Sequence, residues 1–152
     1  MKRLTLLVAL AALLAASAAT AATPAKYRTT MNGICRAYTP KLTNAETTMA
    51  NATKAHRPAK FEVAFRSYLV LALQQNHQLE AVRVPRRMQK QMRPIIKRLK
   101  KIDPHVRSAL AHSRSGNLKV TRLQLTAISK LSEPLNGQLD AAGLRDCGSN
   151  QS

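Results

Sequence analysis

The sequence predicts an all-α protein: an up-down-up-down four-helix bundle with kinked helices, closed by one disulfide. Three observations carry this. Apolar residues recur at intervals of three and four over four long segments, the pattern of an amphipathic helix and not of a strand. The breaks between segments are short, and short connections join antiparallel neighbours. Finally, Cys35 and Cys147 stand near the two ends of the chain. In this topology the end of the fourth helix lies beside the start of the first.

The chain opens "MKRLTLLVALAALLAASAATAATPAKY". Lys2 and Arg3 precede an apolar run from Leu4 to Ala16, broken only by Thr5, and Ala-x-Ala triplets end at Ala18 and Ala21. That order reads as a secretory signal peptide, residues 1–21, cut after Ala21, with Ala18 as the second choice. The run is short for a membrane span, which needs about 20 residues. A buried N-terminal helix is the competing reading. No Cys follows the run directly, which argues against a lipid anchor. Residues 22–148 would form the bundle and 149–152 a disordered tail. The roughly 130 residues left are one domain's worth, enough to bury a core.

The first helical stripe runs Tyr27, Met31, Ile34, Tyr38, Leu42, Ala45, Met49 and Ala52, and "HRP" at 56–58 ends it. The second runs Phe61, Phe65, Tyr68, Ala72, Gln75, Leu79 and Val82, and ends at "VPRR", 84–87. Met88, Met92, Ile95, Leu99, Ile102, Val106 and Leu110 form the third, before "SRSGN" at 113–117. The fourth is looser: Val120, Leu123, Ala127, Leu131, Leu135, Leu139 and Ala142. Its ending, "LDAAGLRDCG", reads as a Schellman cap, with Gly143 left-handed and Leu144 folded back on Leu139. Cys147 then reaches Cys35.

Cysteine usage agrees with export. Two cysteines in an oxidising compartment default to one disulfide, with two free thiols or a metal pair as alternatives. No further ligand stands beside either Cys to make a metal site. The bond would close a loop of about 110 residues, worth roughly 4 to 5 kcal/mol by chain entropy.

"YRTTMNGIC" (27–35) and "GLRDCG" (143–148) resemble a pattern found among small secreted helical bacterial proteins of unknown role. The resemblance covers the two ends of the chain. It implies secretion and a Cys35–Cys147 bridge, and it carries no activity with it.

Charge is the next signal. The formal net charge is +18, and +16 once Lys2 and Arg3 are removed with the signal. Residues 83–101, "RVPRRMQKQMRPIIKRLKK", hold nine Lys or Arg and no Asp or Glu. On a helical wheel the apolar stripe of the third helix falls opposite Arg86, Lys90, Arg93, Lys97, Lys100 and Lys101, with Arg87 and Arg98 on the flank. Solvated faces usually mix signs, because like charges at i,i+4 repel. These eight residues are therefore the candidate anion-binding surface, with a plain solvated face as the alternative. The expected partner is an anionic cell-envelope component or an acidic protein, with peripheral membrane contact as one form of it. Nucleic acid fits poorly. No reader motif is present, Trp is absent and Phe scarce, so stacking platforms are missing, and an exported protein meets little of it.

Signals for an enzyme are thin. Seven Asp and Glu make no acid–base pair, and the four His, at 56, 77, 105 and 112, show no ligand spacing. No cofactor or metal is implied. One polar block breaks the bundle rule: "QQNHQ", 74–78, puts Gln75 and Asn76 on the apolar stripe. Pro40, Pro94 and Pro134 fall at similar heights in their helices. Interior prolines remove backbone hydrogen bonds and kink helices. Together they predict a wet mid-bundle layer walled by Tyr38, Gln75, Asn76 and Met92, with Tyr38 bonded to Gln75. That layer is where an alternative role, enzyme or carrier for a small ligand, would reside. A hydrogen-bonded layer that fixes register is the plainer reading, as is a break of the first and third helices at Pro40 and Pro94.

Overall fold

Turn chemistry sets the helix boundaries in the computed structural model, which describes residues 23–148. Thr23 opens α1 (Pro24–Lys54): its side chain accepts the Lys26 N–H at 3.2 Å, and Pro24 occupies the first turn, where no N–H is needed. Pro58 likewise occupies the first turn of α2 (Pro58–Ala81), here without a side-chain cap. A 3-10 turn, Arg86–Met88, leads into α3 (Gln89–Arg114). Asn117 caps α4 (Leu118–Ser132) by accepting the Val120 N–H at 3.2 Å. A short α5 (Leu135–Ala141) and a second 3-10 turn, Arg145–Cys147, complete the chain. The expected signal segment, 1–21, and the tail, 149–152, lie outside the described residues.

Three helices end alike. His56, Gly116 and Gly143 take φ values of 50°, 71° and 77°. The N–H of the following residue then reaches back five positions: Arg57 to Ala52 at 2.8 Å, Asn117 to His112 at 2.9 Å, Leu144 to Leu139 at 2.8 Å. These are Schellman caps. The one expected at Gly143 is present, and its hydrophobic contact joins Leu144 and Leu139, both buried.

The prolines act differently from one another. α1 and α3 run unbroken through Pro40, Pro94 and Pro104, so the expectation that the first and third helices are each two pieces is corrected. All three rings are exposed, and many packed residues follow each of them. Pro134 does interrupt. It separates α4 from α5, so the fourth helix is two pieces. Only seven residues of helix follow it, and Gly137 lies among them. Little packed surface is there to carry the helix across the missing N–H.

The helices form an all-α four-helix bundle. α1 packs on α2, α2 on α3 and α3 on α4, each pair antiparallel. Along the fourth side, α1 and α4 form no comparable seam, and α1 is joined to the chain end through the turn at 145–147. Cys35 and Cys147 are bonded there, with Cα atoms 5.1 Å apart. The apolar core gathers at this end, around Tyr27, Met31, Met88, Met92, Leu139 and Leu144. α3 runs through the whole core, from Met92 to Ala109. On α2, Ala64 and Leu69 are buried, whereas Phe61, assigned to the stripe, is 40 % exposed.

Candidate functional site

α3 exists as a helix because Met92, Ile95, Leu99, Ile102, Val106 and Ala109 repeat at three and four, and all six are buried. That repeat fixes what the other side of the helix presents. Lys90, Arg93, Lys97, Lys100 and Lys101 are exposed on it, as are Arg86 and Arg87 in the preceding 3-10 turn. Arg98 is half-buried on the flank toward α4. Seven of the eight sequence-predicted cations are thus exposed, and the eighth is half-buried. None of them makes an ion pair with an acid among the described residues, where the ion pairs involve Arg36, Arg66, His77 and Arg107. Lys100 lies in the field of the Glu80 carboxylate. Beside this surface runs a groove of about 730 Å³ lined by Val84, Gln89, Lys90, Arg93, Pro94 and Ile96. Two cations there flank an apolar floor.

The flank of α3 toward α2 is polar as well. His77 Nε2 stands 2.7 Å from Asp103 Oδ2 and 3.0 Å from the Arg107 guanidinium. That nitrogen serves one of them at a time: protonated, it donates to Asp103; unprotonated, it accepts from Arg107. Asp103 Oδ1 and Glu80 Oε1 are buried without a hydrogen-bond partner among the described residues. Burial first, and the Asp103 charge second, hold the Glu80 carboxyl above the usual glutamate range, with Lys100 and His77 opposing. Among the described residues no group of His, Cys, Asp and Glu is placed to hold a metal ion.

Inside the bundle is a cavity of about 220 Å³, bounded by α2, α3, α4, α5 and the disulfide. Gln75 and Asn76 both line it, with Ser132 and Asn136 the polar groups opposite. The other two residues of the expected layer lie elsewhere. Tyr38 does not line the cavity, and its hydroxyl accepts from Gln78 Nε2 at 3.0 Å, not from Gln75. Gln78 is on the side of α2 that faces α1, whereas Gln75 is rotated inward. Met92 is wholly buried in the apolar core. Tyr68 also borders the cavity, and burial, then the charge and hydrogen bond of Glu46, raise its hydroxyl pKa.

One cluster escaped the sequence reading. Arg28, Asn32 and Arg36, at i, i+4 and i+8 on α1, hold the C-terminal turn. Arg28 Nε donates to Ala142 O at 2.8 Å, Asn32 Nδ2 to Gly143 O at 3.3 Å, and Arg36 pairs with Asp146 at 3.4 Å. Asn32 Oδ1 accepts the Asp146 N–H at 3.3 Å, and Gln91 Nε2 donates to Ala141 O at 2.8 Å. Carbonyls at a helix end need such donors. The four-residue spacing of Arg28, Asn32 and Arg36 was visible, but what it faces required the bundle. No protein-family model, no curated protein and no solved structure matches this chain.

Proposed function

We propose that the chain is an exported, non-enzymatic binding protein whose α3 surface contacts an anionic component of the cell envelope. The observation that carries this reading is the set of eight cations, from Arg86 to Lys101, turned away from the core with no acid in ion-pair reach among the described residues. Uncompensated like charge costs stability by self-repulsion, and an anionic surface removes that cost. Near an anionic membrane each Lys or Arg is worth about 1 kcal/mol, within a Debye length of the surface.

Two features shape the mode of contact. The apolar side of α3 is occupied by the core, so the helix binds peripherally with the bundle intact. The groove between Lys90 and Arg93 has an apolar floor, which suits an anion carrying some apolar surface. Export rests on the reading of residues 1–21, and the disulfide fits an oxidising compartment. Among the described residues no helix is long and apolar enough to cross a membrane.

The test is co-sedimentation of the disulfide-bonded protein, residues 22–152, with phosphatidylglycerol vesicles, neutral vesicles and isolated envelope polymer across a salt series. Binding to the anionic materials alone, falling steeply between about 50 and 300 mM salt, is the expected result. Reversal of Lys90, Lys97 and Lys101 to Glu should abolish it with helicity unchanged. Unchanged binding by that triple variant would reduce the surface to a solvated face.

A further inference from the structure

The cavity lies on the opposite side of α3 from the cationic surface and has a different chemistry. Leu99, Ile102 and Val106 form its α3 wall, and Leu125 and Ile128 face them from α4. No charged residue lines it. Gln75 reaches it from α2 with only 8 % of its surface exposed, and its side chain lines the cavity. A side-chain amide on a cavity wall can donate and accept, so it favours a ligand that brings a complementary polar group. The other polar groups in the lining are few: Asn76, Asn136 and the Ser132 hydroxyl, which donates to Ser129 O at 3.1 Å.

We propose that this cavity is a binding site for a small uncharged molecule, mostly apolar, with one hydrogen-bonding group that pairs with Gln75. The apolar walls supply the affinity and the amide supplies the orientation, the usual division of labour in a ligand pocket. A charged ligand is disfavoured, because nothing in the lining repays its desolvation. Size fits the same class. A dry cavity of about 150 Å³ in another protein admits benzene, so about 220 Å³ admits a ring with a small polar substituent. The disulfide borders the cavity through both Cys35 and Cys147, so the covalent closure of the chain also shapes the site.

Three probes test this on the disulfide-bonded protein: toluene, benzyl alcohol and benzoate, followed by methyl resonances of Leu125 and Ile128 in NMR titration. Toluene and benzyl alcohol should saturate these shifts, benzyl alcohol about three- to tenfold more tightly, the worth of one net hydrogen bond. Benzoate should not, and salt should leave both affinities unchanged. Gln75→Leu should erase the preference for the alcohol and keep toluene binding. Ala72→Phe fills the cavity from α2 and should abolish both, with Leu125→Phe as the same test from the opposite wall, read on Ile128, should the first variant lose helicity. Absence of saturable shifts with either neutral probe would overturn the proposal. So would retained binding in a folded filled-cavity variant, or an alcohol preference that survives Gln75→Leu.

Discussion

The two ends of the bundle are built differently. At the disulfide end, large side chains pack into one cluster: Tyr27, Met31, Met92 and Leu144 are each at most 1 % exposed. At the other end, where α1 turns into α2 and α3 into α4, the buried residues are small: Ala45, Ala52, Ala64, Ser113 and Thr121. Larger apolar residues there face solvent, with Val63 66 % and Leu118 72 % exposed. One end is held by apolar burial, a covalent bond and the Arg28–Asn32–Arg36 clamp. The other is held by Schellman caps and by the close helix approach that alanine permits. Backbone capping can therefore define a helix end where side-chain burial is slight, while most of the large apolar burial lies at the end closed by the disulfide.

That contrast can be broken first at its strongest point. Cys35→Ala with Cys147→Ala removes the closure of a 112-residue separation and should cost about 4 to 5 kcal/mol in guanidinium unfolding, from chain entropy. A loss under about 1 kcal/mol would mean that packing alone holds the end together. Single truncations sharpen the comparison next. Leu144→Ala, at a fully buried site, should lose about 2 to 4 kcal/mol, whereas Leu118→Ala should stay within about 0.5 kcal/mol. Equal losses would contradict the asymmetry.

The caps come third. Gly143→Ala forces a Cβ into a left-handed residue, 2.8 Å from Arg28 Nε, and should displace the bond from Arg28 to Ala142 O at a cost of about 1 to 2 kcal/mol. His56 already tolerates the left-handed conformation with a side chain, so His56→Gly should gain only about 0.5 kcal/mol, net of the flexibility it adds to the unfolded chain. Denaturation midpoints of the two variants should move in opposite directions. The smallest effect at neutral pH belongs to Tyr27. Its hydroxyl is buried without a partner among the described residues, and burial pushes its pKa up from 10.0 to about 12. Because the folded value is the higher one, stability is intact below pH 10 and is lost as pH rises from 10 toward 12. Tyr27→Phe should flatten that alkaline limb and leave neutral stability equal or slightly raised. An unchanged limb would place the titration elsewhere.

How far the sequence could be read depended on whether the information was periodic or rotational. The first three helices, their turns and the Gly143 cap follow from spacing and turn residues, so they were legible. The disulfide was legible because topology and cysteine placement agree. The outward side of α3 was legible because the strong Met92–Ala109 stripe leaves little freedom in how that helix turns. α2 has a weaker stripe, and there the reading failed. Phe61 was assigned inward and Ala64 was not, because residue size outweighed position. The same loss of rotation paired Tyr38 with Gln75, when the helix in fact presents Gln78, three residues later. Pro134 looked like Pro40 and Pro94 on the page. Only the length of packed helix that follows each proline tells them apart.

Joining Cys35 to Cys147 makes most of this protein, in effect, a ring. Force applied at the two ends of the chain passes through the sulfur bridge and past the helices between them, so tension does not peel the bundle apart. A protease that cuts the exposed turn at His56 or at Gly116 opens the ring without releasing a fragment: both pieces stay tethered, with most of the apolar cluster beside the tether. Loss of that turn is then a wound from which the bundle can recover its shape. Reduction of the bridge converts the same cut into separation of the two pieces.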